Sequence, residues 1–378
     1  MSDVQDVAGG VAGPVFREGE EFHGYAVERQ LGQGGLGTVW LARHQVLDTL
    51  FAVKILDPRV AEEQPEYVKR FVREAKLATK IRHPNLVAVH DAGYDAAKGV
   101  YFLVMDYVQG DTLRSTIAFG GAQPEKDAVR IILQVADVLA AAQRFGMVHR
   151  DLKPENIMVT SGGNAKLLDL GVAKISDGID SLKTVAKTVF GTPAYISPEQ
   201  AVDSSTVDAR ADVYSLGVIL FELLCGRRPY VGDTPVDILQ QLLDPSPIPD
   251  VRTFNPAVSP KLSKALARMC AKKIEDRLAT PQDVIALFAD LGYRLSSSGE
   301  TEYAAEENTA ATGMVQDLIP DVSAPPRDGR GLDLDTQDKD IQAFIAGLKR
   351  KKLKRRLFWA GLALAALALL ALAWRLLA

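Results

Sequence analysis

The chain has 378 residues, enough for more than one ordinary domain. A hydrophobic share of 47% beside 24% charged residues is the composition of a folded protein rather than a disordered one. The net charge of −4 gives no basis for holding nucleic acid, and two distant cysteines, Cys225 and Cys270, with no CxxC exclude a disulfide framework and read as reduced intracellular thiols.

Residues 1–24 have neither the basic start nor the apolar run of a signal peptide, and their glycine and acidic content predicts a flexible lead. "YAVERQL" from Tyr25 alternates as a strand, "GQGGLG" follows, and "TVWLAR" and "LFAVKIL" predict two more strands. Pro65 to Ile81 reads as a helix, with Val68, Phe71, Val72, Ala75 and Ala78 on one face. "LVAVHDAGYD" and "VYFLVMDYV" add two strands, so the first 110 residues are mostly sheet with one helix. The balance then turns helical. "DAVRIILQVADVLAAAQRFG" predicts a long helix closed by Gly146. "IMVT" and "AKLL" flank a turn, and "DVYSLGVILFELLCG" predicts a buried helix with Asp212 at its start. Glu222 and the short run argue against that helix spanning a membrane. Helices near 234–243, 260–271 and 281–291 complete the set. Residues 295–348 are acidic, bear prolines and read as a disordered linker.

Several polar motifs interrupt these apolar elements. Gly32, Gly34 and Gly37 form a GxGxxG that continues into a strand, so the glycines bend a hairpin whose backbone amides can approach phosphates closely. A plain tight turn is the alternative. Lys54 lies inside an apolar strand, where a lysine needs a partner, and Glu74 stands in the only nearby helix. "VHRDLKPENIMV" sets Asp151, Lys153 and Asn156 at a helix-to-strand junction, and Asp169 follows a strand in "LLDLG". Asn156 and Asp169 together with a polyphosphate would make the oxygen-rich shell that Mg²⁺ prefers. Asp151 is left to orient a hydroxyl and take its proton, and Lys153 to neutralise charge on a phosphoryl group in transit. A solvated polar loop is the competing reading, but it does not explain so long an insertion.

The order GxGxxG, "AVK", a helix glutamate, "HRDLKPEN", "DLG" and "SPE" resembles the protein kinase superfamily over roughly residues 25–294. The resemblance implies an α+β, bilobal fold, with a small β-rich lobe and a larger helical lobe. It implies that the glycine loop covers ATP, with Leu31, Val39 and Ala52 above the adenine and Met158 below. Lys54, held by Glu74, would contact the α and β phosphates. Met105 would guard the back of the pocket, and Asp106 to Val108 would form the hinge that bonds adenine. Asp151 would be the catalytic base, with Asn156 and Asp169 binding Mg²⁺, or Mn²⁺ in its place. Glu199 would pair with Arg277, and Asp212 would tie the apolar helix to the catalytic loop. Lys153 and Thr192 are placed as in serine/threonine kinases, so the expected partners are proteins bearing Ser or Thr hydroxyls. Leu170 replaces the common Phe and keeps an apolar plug, Ser197 and Tyr214 replace the common Ala and Trp in a way similar to bacterial members, and none removes a charged catalytic group. An inert pseudokinase scaffold at the membrane is the rival reading; it would usually have lost Lys54, Asp151 or Asp169.

Arg150, beside the expected base, needs an anion, and Ser176, Ser181, Thr184 and Thr188 lie in the loop that follows Asp169. Autophosphorylation at Thr184 or Thr188 is therefore expected to dock on Arg150. Residues 349–356 carry seven basic side chains ahead of the uncharged Leu357–Trp374 segment, about 27 Å of helix, with tryptophans at both ends. This predicts a single-pass anchor in the cell membrane, with the kinase domain in the cytoplasm, lipid contacts for the basic block and a four-residue tail at 375–378. With only that tail beyond the span, no outer sensor domain is expected. Gly361 and Ala365 form a small-xxx-small pair that offers one route to self-association.

Overall fold

The computed structural model describes residues 15–170, 193–203 and 207–295. The alternating strands of the first hundred residues form one six-stranded antiparallel sheet in the order β1-β2-β3-β4-β6-β5. Its members are β1 (Glu21–Phe22), β2 (Tyr25–Gly34), β3 (Gly37–His44), β4 (Leu50–Leu56), β5 (Val89–Asp95) and β6 (Val100–Asp106). Two helices, α1 (Pro58–Glu63) and α2 (Pro65–Ala78), follow β4, each with proline in its first turn, where the missing N–H costs nothing. The helix α2 ends three residues short of Ile81 and turns Val68, Phe71, Glu74 and Ala75 inward.

The packed chain begins before Tyr25. Phe16 is 1% exposed and packs edge-on against Phe22 and Trp40, with ring centroids 4.6 and 5.6 Å apart, while Phe22 meets Phe102 at 5.0 Å. Burying a phenylalanine contributes roughly 1.5–3 kcal/mol, so residues 15–22 are part of the small lobe rather than a flexible lead. The isolated aromatics of this stretch show no periodicity, which is why the sequence hides them.

Past the connection at Asp106–Gly110 the architecture is helical. A small sheet of β7 (Gly110–Thr112), β8 (Ile157–Thr160) and β9 (Ala165–Leu167) lies beside α3 (Leu113–Gly120) and α4 (Glu125–Gln143). Beyond it come α5 (Pro198–Val202), α6 (Arg210–Cys225), α7 (Pro235–Leu243), α8 (Val251–Phe254), α9 (Pro260–Met269) and α10 (Pro281–Asp290). The helix α6 is the axis of this lobe: every residue from Ala211 to Leu224 is buried. It starts at Arg210, so Asp212 is not its cap. Asp212 sits in the first turn and spends its carboxylate elsewhere, as described below. Gly146, at φ 70°, makes its left-handed turn two residues beyond Arg144, which ends α4.

One ion pair links α5 to the turn before α10. Arg277, whose side chain is fully buried, donates to both oxygens of Glu199 at 2.7 and 3.1 Å and to the carbonyls of Ala271 and Arg210. Its guanidinium lies over the Tyr214 ring, 5.0 Å from the centroid. Burial would raise the Glu199 carboxyl, but the hydrogen bonds and charge of Arg277 outweigh it and hold the pKa below the ordinary value. A depressed carboxyl pKa stabilises the fold above the unfolded value, near 4.3, and the contribution is lost as pH falls through the folded value. Arg277→Met should therefore cost about 3–5 kcal/mol in urea unfolding at pH 7, because it strands a partly buried carboxylate. The deficit should shrink below about pH 4, and adding Glu199→Gln should recover part of it.

Candidate active site

The site forms where the two lobes meet. In the small lobe, β2 and β3 close as a hairpin whose tip is Gly35–Leu36, with Gly34 paired to Gly37. Gly37 is a steric requirement of the protein itself: at φ 155°, a Cβ there would lie 1.8 Å from the carbonyl oxygen of Ile55. Gly32 and Gly34 differ, since a Cβ on either would meet nothing within 4 Å. Packing within the protein does not demand glycine at those two positions, so their backbone is left open on the cleft side.

Behind the hairpin, Ala52 and Met105 are buried in one apolar cluster, against which Leu31, Val39 and Val108 pack half-buried. These five residues give this side of the cleft an apolar face. Met158 stands apart on β8 in the other lobe, paired across to Thr112 and Lys166. The Asp106 side chain, at the mouth of the interlobe connection, accepts from His90 at 2.5 Å, and its backbone N–H donates to Ala88 at 3.0 Å.

Lys54 and Glu74 meet at 2.9 Å, and the ammonium also lies 4.0 Å from an Asp169 carboxylate oxygen. Burial works against both charges of this pair. For Lys54 it would lower the pKa, yet Glu74 and Asp169 reverse the shift and hold it above the ordinary value. Burial, helped by Asp169 and opposed by Lys54, raises Glu74 above the usual carboxylate range. The 2.9 Å contact is the geometry of an ammonium donating to a carboxylate.

Side chains hold the backbone around Arg150 and Asp151. Asp212 reaches across from α6 and accepts the N–H of His149 at 2.8 Å and of Arg150 at 2.9 Å. Arg150 adopts φ 63°, a left-handed conformation that side chains tolerate only when the surroundings enforce it. His149 Nδ1 accepts the Asp151 N–H at 3.3 Å, which puts the ring proton on Nε2, where it donates to the Asp169 carbonyl at 3.1 Å. One buried imidazole thus spans the expected base and the expected metal ligand. Asn156 donates its amide nitrogen to the Asp151 carbonyl at 3.1 Å, leaving Oδ1 as the acceptor end of that side chain. The Asn156 carbonyl in turn accepts from Leu168, the residue before Asp169, at 2.9 Å. The two candidate metal ligands are therefore tied through adjacent backbone.

Lys153 lies 3.1 Å from an Asp151 carboxylate oxygen. Burial would depress its pKa, but Asp151 raises it, so it stays cationic beside the base. Arg150 donates Nη2 to the Val207 carbonyl at 3.0 Å, while its buried Nε has no hydrogen-bond partner among the described residues. Thr184, Thr188 and Thr192 lie outside the described residues.

Sequence reasoning missed a second network flanking this loop. Glu222, the second buried acid of α6 besides Asp212, accepts from Arg114 at 2.8 Å and from the Tyr195 hydroxyl at 2.5 Å, and Arg114 also donates to Glu155 at 2.9 Å. The signal was present: an acid amid fourteen buried positions requires a cation. Missed too were the bridging role of His149 and the contact made by Gln200.

The geometry has a counterpart in known proteins. Residues 25–287 match the protein kinase domain family. The serine/threonine-protein kinase PknB of Mycobacterium leprae is 39% identical over 259 residues, which cover 68% of this chain and 41% of that protein. PrkC of Bacillus subtilis is 35% identical over 298 residues, covering 78% and 44%. The solved kinase domain of Mycobacterium tuberculosis PknI superposes with a TM-score of 0.58 at 29% identity, over 73% of this chain and 99% of that one. The chain spans about half the length of curated relatives such as these. The chain belongs to the protein kinase family and has its bilobal fold, with a β-rich small lobe and a helical large lobe. PknB and PrkC are bacterial serine/threonine kinases, and the chain is of the same eukaryotic-type kinase family.

No helix among the described residues is long and apolar enough to cross a membrane, and the expected span at Leu357–Trp374 lies outside them.

Proposed function

We propose that this chain is a serine/threonine protein kinase that moves the γ-phosphoryl group of ATP to a protein hydroxyl. The observation that carries this reading is the convergence of Lys54, Glu74 and Asp169 opposite a loop that presents Asp151, Lys153 and Asn156. Lys54 meets the α and β phosphates as a fixed ammonium, and the open backbone at Gly32 and Gly34 lies over them. The apolar wall of Leu31, Val39, Ala52 and Met105 takes the adenine. Asn156 Oδ1 and the Asp169 carboxylate are hard oxygen donors of the kind Mg²⁺ takes, with phosphates and water completing its six positions. When bound, the metal neutralises phosphate charge. Asp151 orients the substrate hydroxyl and accepts its proton as the oxygen bonds to the γ-phosphorus. The bond from that phosphorus to the β–γ bridging oxygen breaks, ADP leaves, and Lys153 steadies the charge on the transferring group.

The inert-scaffold alternative finds no support, since Lys54, Asp151 and Asp169 are all present and paired as catalysis needs. Autophosphorylation at Thr184 or Thr188 belongs to the same reading, favoured by a buried Arg150 Nε with no described partner. Anchoring by Leu357–Trp374, with the seven basic residues of 349–356 on the cytoplasmic side against anionic lipid, rests on the sequence. Self-association through Gly361 and Ala365 rests on it too.

Asp151→Asn should lower kcat toward a basic protein substrate by about 10²–10⁴-fold while leaving MgATP affinity intact. Mass spectrometry of wild type incubated with ATP should find phosphate on Thr184 or Thr188, absent from the variant. Equal activity of the two proteins would end the assignment. Membranes carrying the full chain should retain it through alkaline extraction, and removal of residues 349–378 should release it; release of the intact chain would contradict the anchor.

A further inference from the structure

Four backbone groups surround the Arg150–Asp151 peptide, and all four are held by side chains. Asp212 takes the Arg150 N–H, His149 the Asp151 N–H and Asn156 the Asp151 carbonyl. The fourth, the Arg150 carbonyl, accepts a 2.8 Å hydrogen bond from Nε2 of Gln200. Gln200 is 8% exposed and lies in α5, fifty residues along the chain, in the stretch that resumes after residues 171–192. Its amide cannot be turned round, because Oε1 already accepts the Ser197 N–H at 3.0 Å and the Ser197 hydroxyl at 3.1 Å. Ser197 Oγ accepts the Gln200 N–H at 3.4 Å, closing a capping box at the start of α5.

We propose that Gln200 is a positioning residue for the catalytic base: it fixes the carbonyl end of the strained Arg150 peptide and so sets where Asp151 points. Arg150 sits at φ 63°, and its peptide can relax by rotating unless both ends are held. Asp212 anchors one end from the rigid α6. Gln200 anchors the other from α5, so the geometry of the base depends on α5 being seated. A donor is needed there, since a carbonyl offers only lone pairs, and an isosteric side chain without an N–H leaves a buried acceptor unmet. The inference rests on Asp151 serving as base, as proposed above.

The test is Gln200→Met, which keeps the length of the side chain but drops both the donor and the Oε1 acceptor of the Ser197 box, assayed on the full chain beside wild type, Asp151→Asn and Gln200→Glu, which keeps that acceptor and drops the donor alone. Circular dichroism and the unfolding midpoint report the fold. A positioning role predicts a kcat lower by about ten- to a hundredfold, with KM for MgATP within about twofold of wild type, because the nucleotide contacts are untouched. A folded variant with kcat within about twofold of wild type would overturn the proposal. So would a parallel loss of kcat and nucleotide affinity, which marks general damage to the cleft. Should Gln200→Met fail to fold, Gln200→Asn, whose amide is one methylene too short to reach, is read in the same way; loss of fold in both would make Gln200 a stability residue and end the proposal. Wild type without phosphotransfer would instead refute the kinase reading itself, so the two failures are distinct.

Discussion

A buried carboxylate reaching out of an apolar helix is the constraint on which the site depends. Asp212 is 2% exposed, and burial pushes its pKa up, countered by the two amides it accepts and by the charge of Arg150. Those amides belong to His149 and Arg150, so α6 dictates the backbone immediately before Asp151. The helix can do this because its surroundings are fully packed: a rigid axis transmits position where a solvated one would not. The left-handed Arg150, the neutral His149 and the amide of Asn156 follow from that anchor, each satisfying a group that would otherwise be orphaned.

The second constraint is charge. Lys54, Glu74 and Asp169 come from β4, α2 and the segment after β9, and no pair among them is close in sequence. Lys54 and Glu74 pair within the small lobe, and only the 4.0 Å approach of Lys54 to Asp169 crosses to the segment after β9, so it is this approach that reports the geometry of the cleft. It also leaves an ammonium and a carboxylate desolvated side by side, where an anionic, metal-bearing ligand gains most from them. Stability alone would not favour such a pair, because apolar residues of the same volume hold a core together as well.

Much of this was legible in the sequence. The strand at Leu50–Leu56 matches its predicted bounds, because β-branched alternation with a lysine inside it has few other readings. The polar motifs could be read because each violates its setting: Lys54 in a strand, six polar residues at a junction, glycines running into a strand. What stayed hidden was set by tertiary contact. The helix at Leu113–Gly120 and the strand at Gly110–Thr112 are too short for a period to show. Phe16 and Phe22 form a core only because Trp40 and Phe102 come to meet them. The Asp212 cap was misassigned for the same reason, since its true partners are 62 and 63 residues away. Arg114 and Gln200 have ordinary local sequence, and only the fold brings them to Glu222 and Arg150.

The most direct measurement is the turnover of Asp212→Asn beside its MgATP affinity. The change keeps shape but replaces one acceptor oxygen by a donor, so one of the two loop amides loses its partner at a cost of roughly 1–3 kcal/mol. If the buried carboxylate sets the catalytic loop, kcat falls at least about tenfold while the nucleotide binds as before, because Lys54 and the glycine hairpin belong to the other lobe. A folded variant that turns over at the wild-type rate would contradict that role.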